Sequence, residues 1–181
     1  SFQVVILCGG LGSRLSVETK RIPKPMVKVG RLPILIHIIN IYRKYGFKNF
    51  LLALGYKKEI ISNYFKKNQF RDININLVDT GKKTLTGTRL LKLKKFIKNE
   101  NFLLTYGDGL SNINLNKLVK FHFKNNKIAT VTAVRPPARF GELFLKKNLV
   151  KKFDEKNHLN TGWINGGFFV FNKKIFKYIP K

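Results

Sequence analysis

Residues 7–26 read LCGGLGSRLSVETKRIPKPM and hold the densest set of groups able to do chemistry. Gly9, Gly10 and Gly12 follow an apolar run, and glycine lets backbone N–H groups approach an anion closely. Arg14 can fork onto two phosphate oxygens, and Lys24 adds a compact point charge. Pro23 and Pro25 stiffen the backbone around Lys24, so that cation points in few directions and loses less entropy on being held. These residue types at this spacing suit a ligand with several phosphates. The plain alternative is a tight strand-to-loop turn, against which the two fixed cations argue. The segment is not a P-loop, because no Gly-Lys-Ser/Thr follows. Nor is it the dinucleotide fingerprint, because Leu15 stands where the third glycine belongs.

Asp108 in LLTYGDGL is the second chemical feature. Mg²⁺ is typically held by one or two carboxylates plus substrate phosphates, and a carboxylate at the end of a central strand could serve. An Asp–Gly turn is the ordinary reading of such a segment; beside the glycine loop, the metal site is preferred. DGLSNIN is not an EF-hand, since Leu110 occupies the third loop position. His122 shares a helical stripe with Leu118 and Val119 and reads as a core histidine. His37 and His158 have no companion at metal-ligand spacing, and no Ser/His/Asp arrangement is present. Cys8 ends an apolar strand and reads as buried and inert.

The elements that must position these groups alternate in type. FQVVILC has the length and continuous apolarity of a strand buried on both faces. LPILIHIINIYRKYG is an amphipathic helix with Pro33 at its start and Gly46 at its end. FLLAL, INLVD, NFLLTY and IATVTAV read as further strands. KKEIISNYFKK, TGTRLLKLKKFIKN and LNKLVKFHFKNN read as helices, the last capped by Asn114. Shorter pieces follow: GELFL, LVKKFDE and INGGFFVF. Such alternation predicts a Rossmann-like α/β three-layer sandwich over residues 1–181, with a mixed, mostly parallel sheet. Ligands bind such sheets at the carboxyl ends of the strands.

The 181 residues suffice for one domain. Net charge is +27, from 36 basic and 9 acidic residues, which raises nucleic-acid binding as an alternative. The basic residues are mostly evenly spread lysines, with no RNA-binding aromatic motif and no zinc-finger spacing. Attraction of small anionic substrates is the better use of that charge. No apolar run approaches the roughly 18 residues of a membrane span. A lone cysteine forms no internal disulfide and fits a reducing cytoplasm.

LCGGLGSRL followed by PKPM resembles the activation signature of the sugar-1-phosphate nucleotidyltransferases. LVDTG, TGTRL, TYGDGLSNINL, PPARFGEL and INGGFFVF resemble most closely the glucose-1-phosphate cytidylyltransferase branch. The resemblance covers nearly the whole chain and implies the nucleotide-diphospho-sugar transferase fold. It implies transfer of a nucleotidyl group from CTP to glucose 1-phosphate, with release of pyrophosphate and CDP-glucose serving polysaccharide biosynthesis. Leu7, Gly9, Gly10, Gly12 and Ser13 would then wrap the nucleotide, and Arg14 would grip its β- and γ-phosphates. Lys24 would stabilise charge at the α-phosphate, and Asp108 would hold Mg²⁺. Gly87 and Arg89 would lie near the base. Gly141, Glu155, Lys156 and Asn165 would contact the sugar phosphate. A sugar phosphate is already an anionic nucleophile, so no general base is needed and no catalytic histidine is expected.

The family's second metal-binding Asp lies downstream of INGG, so the resemblance implies a chain lacking the family's C-terminal segment. The segment before LVDTG is short where the cytidylyl branch carries an insertion tied to base binding and assembly. Family EKP reads EKN here. The same chemistry with UTP or dTTP, and a catalytically incomplete nucleotide-binding domain, are the alternatives. A homo-oligomer is compatible with the resemblance.

Overall fold

The computed structural model describes residues 2–10, 21–136, 142–146, 149–154 and 162–180. The apolar run at the N-terminus forms β1 (Gln3–Leu7). Val4 and Ile6 pack into one core and Val5 into another, all at 0% exposure. Such two-sided burial is why the run does not alternate with polar residues. The same split holds in β4 (Asn49–Leu54), where Phe50, Leu52 and Leu54 face one core and Leu51 and Ala53 the other.

Between β1 and β4 the chain makes a short hairpin, β2 (Lys28–Val29) and β3 (Leu32–Pro33), turning at Gly30 with φ +64°. These strands are too short to carry a periodic signal. Helix α1 (Ile34–Lys44) follows Pro33 as expected and buries Leu35, Ile38, Ile39 and Tyr42. Burying a side chain of that size contributes about 1.5–3 kcal/mol. Gly46, at φ +82°, takes the left-handed conformation that ends the helix.

Next come α2 (Lys58–Lys67), β5 (Asn74–Asp79), α3 (Thr86–Leu93), β6 (Asn101–Tyr106), α4 (Leu115–Asn125) and β7 (Ala129–Val134). β8 (Glu142–Lys146) and β9 (Leu149–Asp154) pair antiparallel, and β10 (Ile164–Asn172) is the last strand. One six-stranded sheet runs β5-β4-β1-β6-β10-β7. β1 pairs parallel with β4 and β6, β4 parallel with β5, and β10 antiparallel with β6. The sheet is therefore mixed and mostly parallel. α1, α2 and α4 supply core residues to one face, and α3 to the other.

α3 is shorter than the run TGTRLLKLKKFIKN predicts. It stops at Leu93, passes through a tight turn at Lys94–Phe96, and extends at Ile97. The cause lies elsewhere in the chain. The Gln3 side chain donates to Phe96 O at 3.1 Å and accepts from Lys98 N at 2.5 Å, pinning this stretch beside β1. In α4, Asn114 Oδ1 caps the helix by accepting from Lys117 N at 3.0 Å. His122 is buried, with its ring nitrogens 2.8 Å from Thr130 Oγ1 and 3.2 Å from Asn101 Oδ1. Burial lowers its pKa below the ordinary histidine value.

The chain divides into two compact units, Ser1–Thr130 with Gly167–Lys181, and Val131–Gly166. The smaller unit contains the β8–β9 hairpin, with a bulge between Phe144 and Leu145, and a stack of the Arg135 guanidinium 4.8 Å from the Trp163 ring.

Candidate active site

β1 lies between β4 and β6, the place where the strand order reverses, and a parallel sheet opens a crevice at the carboxyl ends there. The register pairs Leu7 with Ala53 on one side and Tyr106 on the other. The Gly9–Gly10 segment after Leu7 thus stands beside Gly107–Gly109. Gly107 N donates to Leu7 O at 2.9 Å. A Cβ on Gly107 would come 2.9 Å from Pro25 Cγ and 3.0 Å from Leu7 O, so glycine is what permits this approach.

The Pro23–Lys24–Pro25 segment forms a tight turn over Lys24–Met26 with Pro25 and Met26 buried. The buried flank directs the Lys24 side chain toward β6, where Nζ lies 3.2 Å from Asp108 Oδ2. Both side chains stay partly exposed, at 25% and 40%. A cation and a carboxylate 84 positions apart therefore meet at the mouth of the crevice.

The cavity at this point has about 300 Å³ and is walled by Leu7, Cys8, Gly9 and Gly10, by Lys24 and Asp108, and opposite by Thr84, Thr86 and Arg89. Of the residues singled out from sequence, it brings together Leu7, Gly9, Gly10, Lys24, Arg89 and Asp108. Gly87 does not line it. In helix α3 positions 86 and 89 share a face, and a Cβ on Gly87 would meet Ile179 instead, at 3.1 Å. Asn165 lies on β10, in the smaller unit. Gly12, Ser13, Arg14, Gly141, Glu155 and Lys156 lie outside the described residues. Thr84, Thr86 and Tyr106 line the cavity without having been singled out. Tyr106 closes the predicted strand NFLLTY, Thr86 opens the predicted helix TGTRLLKLKKFIKN, and Thr84 lies just before that helix. A larger groove of about 950 Å³ opens at the amino ends of β1, β4 and β5, around Gln3, Asn49 and Asn74. It has neither a glycine turn nor a lysine–carboxylate pair and lies at the wrong end of the sheet for ligand binding.

Arg89 enters the wall from beneath. Its guanidinium donates to Gly9 O at 3.1 Å, Leu54 O at 3.0 Å, Thr84 O at 2.9 Å and Thr80 Oγ1. A Cβ on Gly9 would overlap that guanidinium. Gly9→Ala must therefore displace a buried side chain that makes four hydrogen bonds. It is expected to lower stability by roughly 1–3 kcal/mol, read as a fall in Tm. An unchanged Tm would show that the guanidinium is not lodged there. Cys8 is 1% exposed. Burial pushes its thiol far above the ordinary cysteine range, Arg89 opposes that and Asp108 adds to it, so Cys8 is no nucleophile.

No group of three or more His, Cys, Asp or Glu side chains among the described residues could hold a metal by itself. Asp108, partly exposed at the cavity, matches the lesser donor set that Mg²⁺ needs when phosphate oxygens complete its shell.

A crevice of this kind on this sheet belongs to a nucleotide-handling class of protein, and comparison with known proteins agrees. The family model described as nucleotidyl transferase matches residues 3–181, and the chain belongs to that family. The probable glucose-1-phosphate cytidylyltransferase of Bacillus subtilis (strain 168) is 42% identical over 199 residues, covering 99% of this chain and 78% of that protein. The glucose-1-phosphate cytidylyltransferase of Salmonella typhimurium is 40% identical, covering 98% and 77%. Both alignments are longer than the 181 residues of this chain, so those relatives carry inserted residues. The crystal structure of HddC from Yersinia pseudotuberculosis superposes with a TM-score of 0.76 at 27% identity, covering 100% of this chain and 81% of that one.

Proposed function

We propose that the chain transfers a cytidylyl group from CTP to glucose 1-phosphate and releases pyrophosphate. An oxygen of the sugar phosphate attacks the α-phosphorus. The bond from that phosphorus to the oxygen bridging to the β-phosphate breaks, and pyrophosphate leaves with the electron pair. Both partners are anions, so the protein's task is alignment and charge neutralisation. Gly9 and Gly10, with Gly12 and Ser13, offer backbone N–H groups to the nucleotide, and Arg14 grips the β- and γ-phosphates. Lys24 meets the charge that grows at the α-phosphate. Asp108 would hold Mg²⁺, which supplies further neutralisation when bound. Gly141, Glu155, Lys156 and Asn165 take the sugar phosphate.

The observation that carries this reading is the Lys24–Asp108 pair at 3.2 Å in the cavity that Gly9 and Gly10 line. The choice of CTP and glucose 1-phosphate is supported by the names of the Bacillus and Salmonella relatives. The test is pyrophosphate release with Mg²⁺ and glucose 1-phosphate, comparing CTP, UTP, dTTP, ATP and GTP. Release with CTP well above the others is expected. Release with another nucleotide instead would overturn the base. Binding of CTP without release would leave a nucleotide-binding domain rather than an enzyme.

A further inference from the structure

β5 ends the six-stranded sheet on one side, and none of its six residues is buried. Open grooves follow it along its length, one lined by Asn74, Ile75, Asn76 and Leu77, another by Val78 and Asp79. Two hydrogen bonds fix which way its backbone points. Asn74 N donates to Lys48 O at 2.7 Å and Thr80 N to Leu54 O at 2.9 Å, both on the β4 side. Backbone groups alternate in direction along a strand, so those of Ile75, Leu77 and Asp79 face the open edge.

Sheet edges are ordinarily blunted by lysine, proline or a bulge, which keep other strands away. β5 has none of these. Its register with β4 is continuous over Asn74–Asp79. Residues 72–80 contain no Lys, Arg or Pro, in a chain with 36 basic residues. Ile75 and Leu77 lie half-buried against one core and Val78 against the other, so apolar surface at this edge is still to be covered. The strand is also complementary to itself. Laid antiparallel on a second copy about a two-fold axis at Leu77, it sets Leu77 opposite Leu77 and Ile75 opposite Asp79. In that register each of these pairs exchanges both backbone bonds. The Ile75 and Leu77 side chains of the two copies share one face. Asp79, bridged to its own Lys58 at 2.5 Å, meets an isoleucine rather than a second carboxylate.

We propose that β5 is a homodimer interface, at which the sheet continues antiparallel into a second copy of this chain. A two-fold contact uses the same edge on both copies, so assembly closes at two. The inference does not rest on the reaction assigned to the crevice.

The test is sedimentation velocity of the full chain over a range of protein and salt concentrations. The wild-type chain is compared with Ile75→Pro, Asn76→Lys and Val131→Lys. Wild type is expected to dimerise, and more tightly as salt rises, because screening weakens the repulsion between two chains of charge +27. Ile75→Pro deletes an outward N–H and no bond to β4, and Asn76→Lys adds the cation that exposed edges usually carry. Each is expected to weaken the dimer about tenfold or more while the thermal melt stays cooperative. Should Ile75→Pro fail to melt cooperatively, Asn76→Lys decides the matter. A wild-type chain that stays monomeric at every concentration would overturn the proposal, as would a dimer that both β5 variants leave intact. A dimer lost only in Val131→Lys would put the contact on β7, the strand at the opposite end of the sheet where Val131 is exposed, and overturn it equally.

Discussion

Lys24→Ala is expected to lower kcat by about 10²–10³-fold while leaving Tm nearly unchanged. The two effects separate for a physical reason. Among the described residues the Lys24 side chain engages Asp108, at 3.2 Å, in a partly exposed pair. Such pairs contribute about 0–1 kcal/mol to folding. In the reaction the same ammonium faces a phosphoryl group whose charge grows toward the transition state, and an interaction stronger there than in the ground state appears in kcat. KM for the nucleotide should therefore move less than kcat. The buried Pro25 and Met26 keep the turn in place without the lysine side chain. Single-turnover rates and a thermal melt on one preparation decide the matter. Unchanged turnover would remove Lys24 from the mechanism, and a large fall in Tm would make it a structural residue.

Asp108→Asn is expected to cost several kcal/mol of transition-state stabilisation, about 10³-fold in rate. It should also flatten the response to Mg²⁺. Asparagine keeps the shape and one oxygen but loses the charge, and a hard dication binds an amide far less well than a carboxylate. Asp108 sits 40% exposed beyond the end of β6, so the fold should survive. Two readouts test the site. Mg²⁺ should tighten nucleotide binding in the wild-type chain and not in the variant. A chelator should bring the wild-type rate down to that of the variant and leave the variant unaffected. Full Mg²⁺-dependent turnover in Asp108→Asn would place the metal on other ligands.

Both residues were legible before any fold was known, because their chemistry is local. A lysine between two prolines and an aspartate between two glycines stand out by residue type alone. β1 and β4 were legible for the same reason: about five consecutive apolar residues must be covered on both faces. Helix α1 could be read end to end, since Pro33 and Gly46 punctuate it in the chain itself.

Other features have no local signal. The end of α3 depends on the Gln3 side chain, which reaches Phe96 and Lys98 across more than ninety positions. Helical periodicity continues through that stretch, and a long-range hydrogen bond overrides it. Thr84 looks like an ordinary loop threonine and Thr86 like the first residue of a helix, and only the closing of the crevice puts them in its wall. Arg89 is singled out in the sequence only through the resemblance carried by TGTRL, which says nothing of what its guanidinium touches. That its guanidinium lies against Gly9, 80 positions away, donating to its carbonyl, is a product of packing.

By itself, then, the sequence determined the layers of the fold and the phosphate-directed chemistry of one loop, because burial periodicity and turn sterics act over a few residues. The tertiary structure decided which groups meet. Strand order is a global outcome, and placing β1 between β4 and β6 is what sets Asp108 against Lys24 and slides Arg89 beneath the glycine turn.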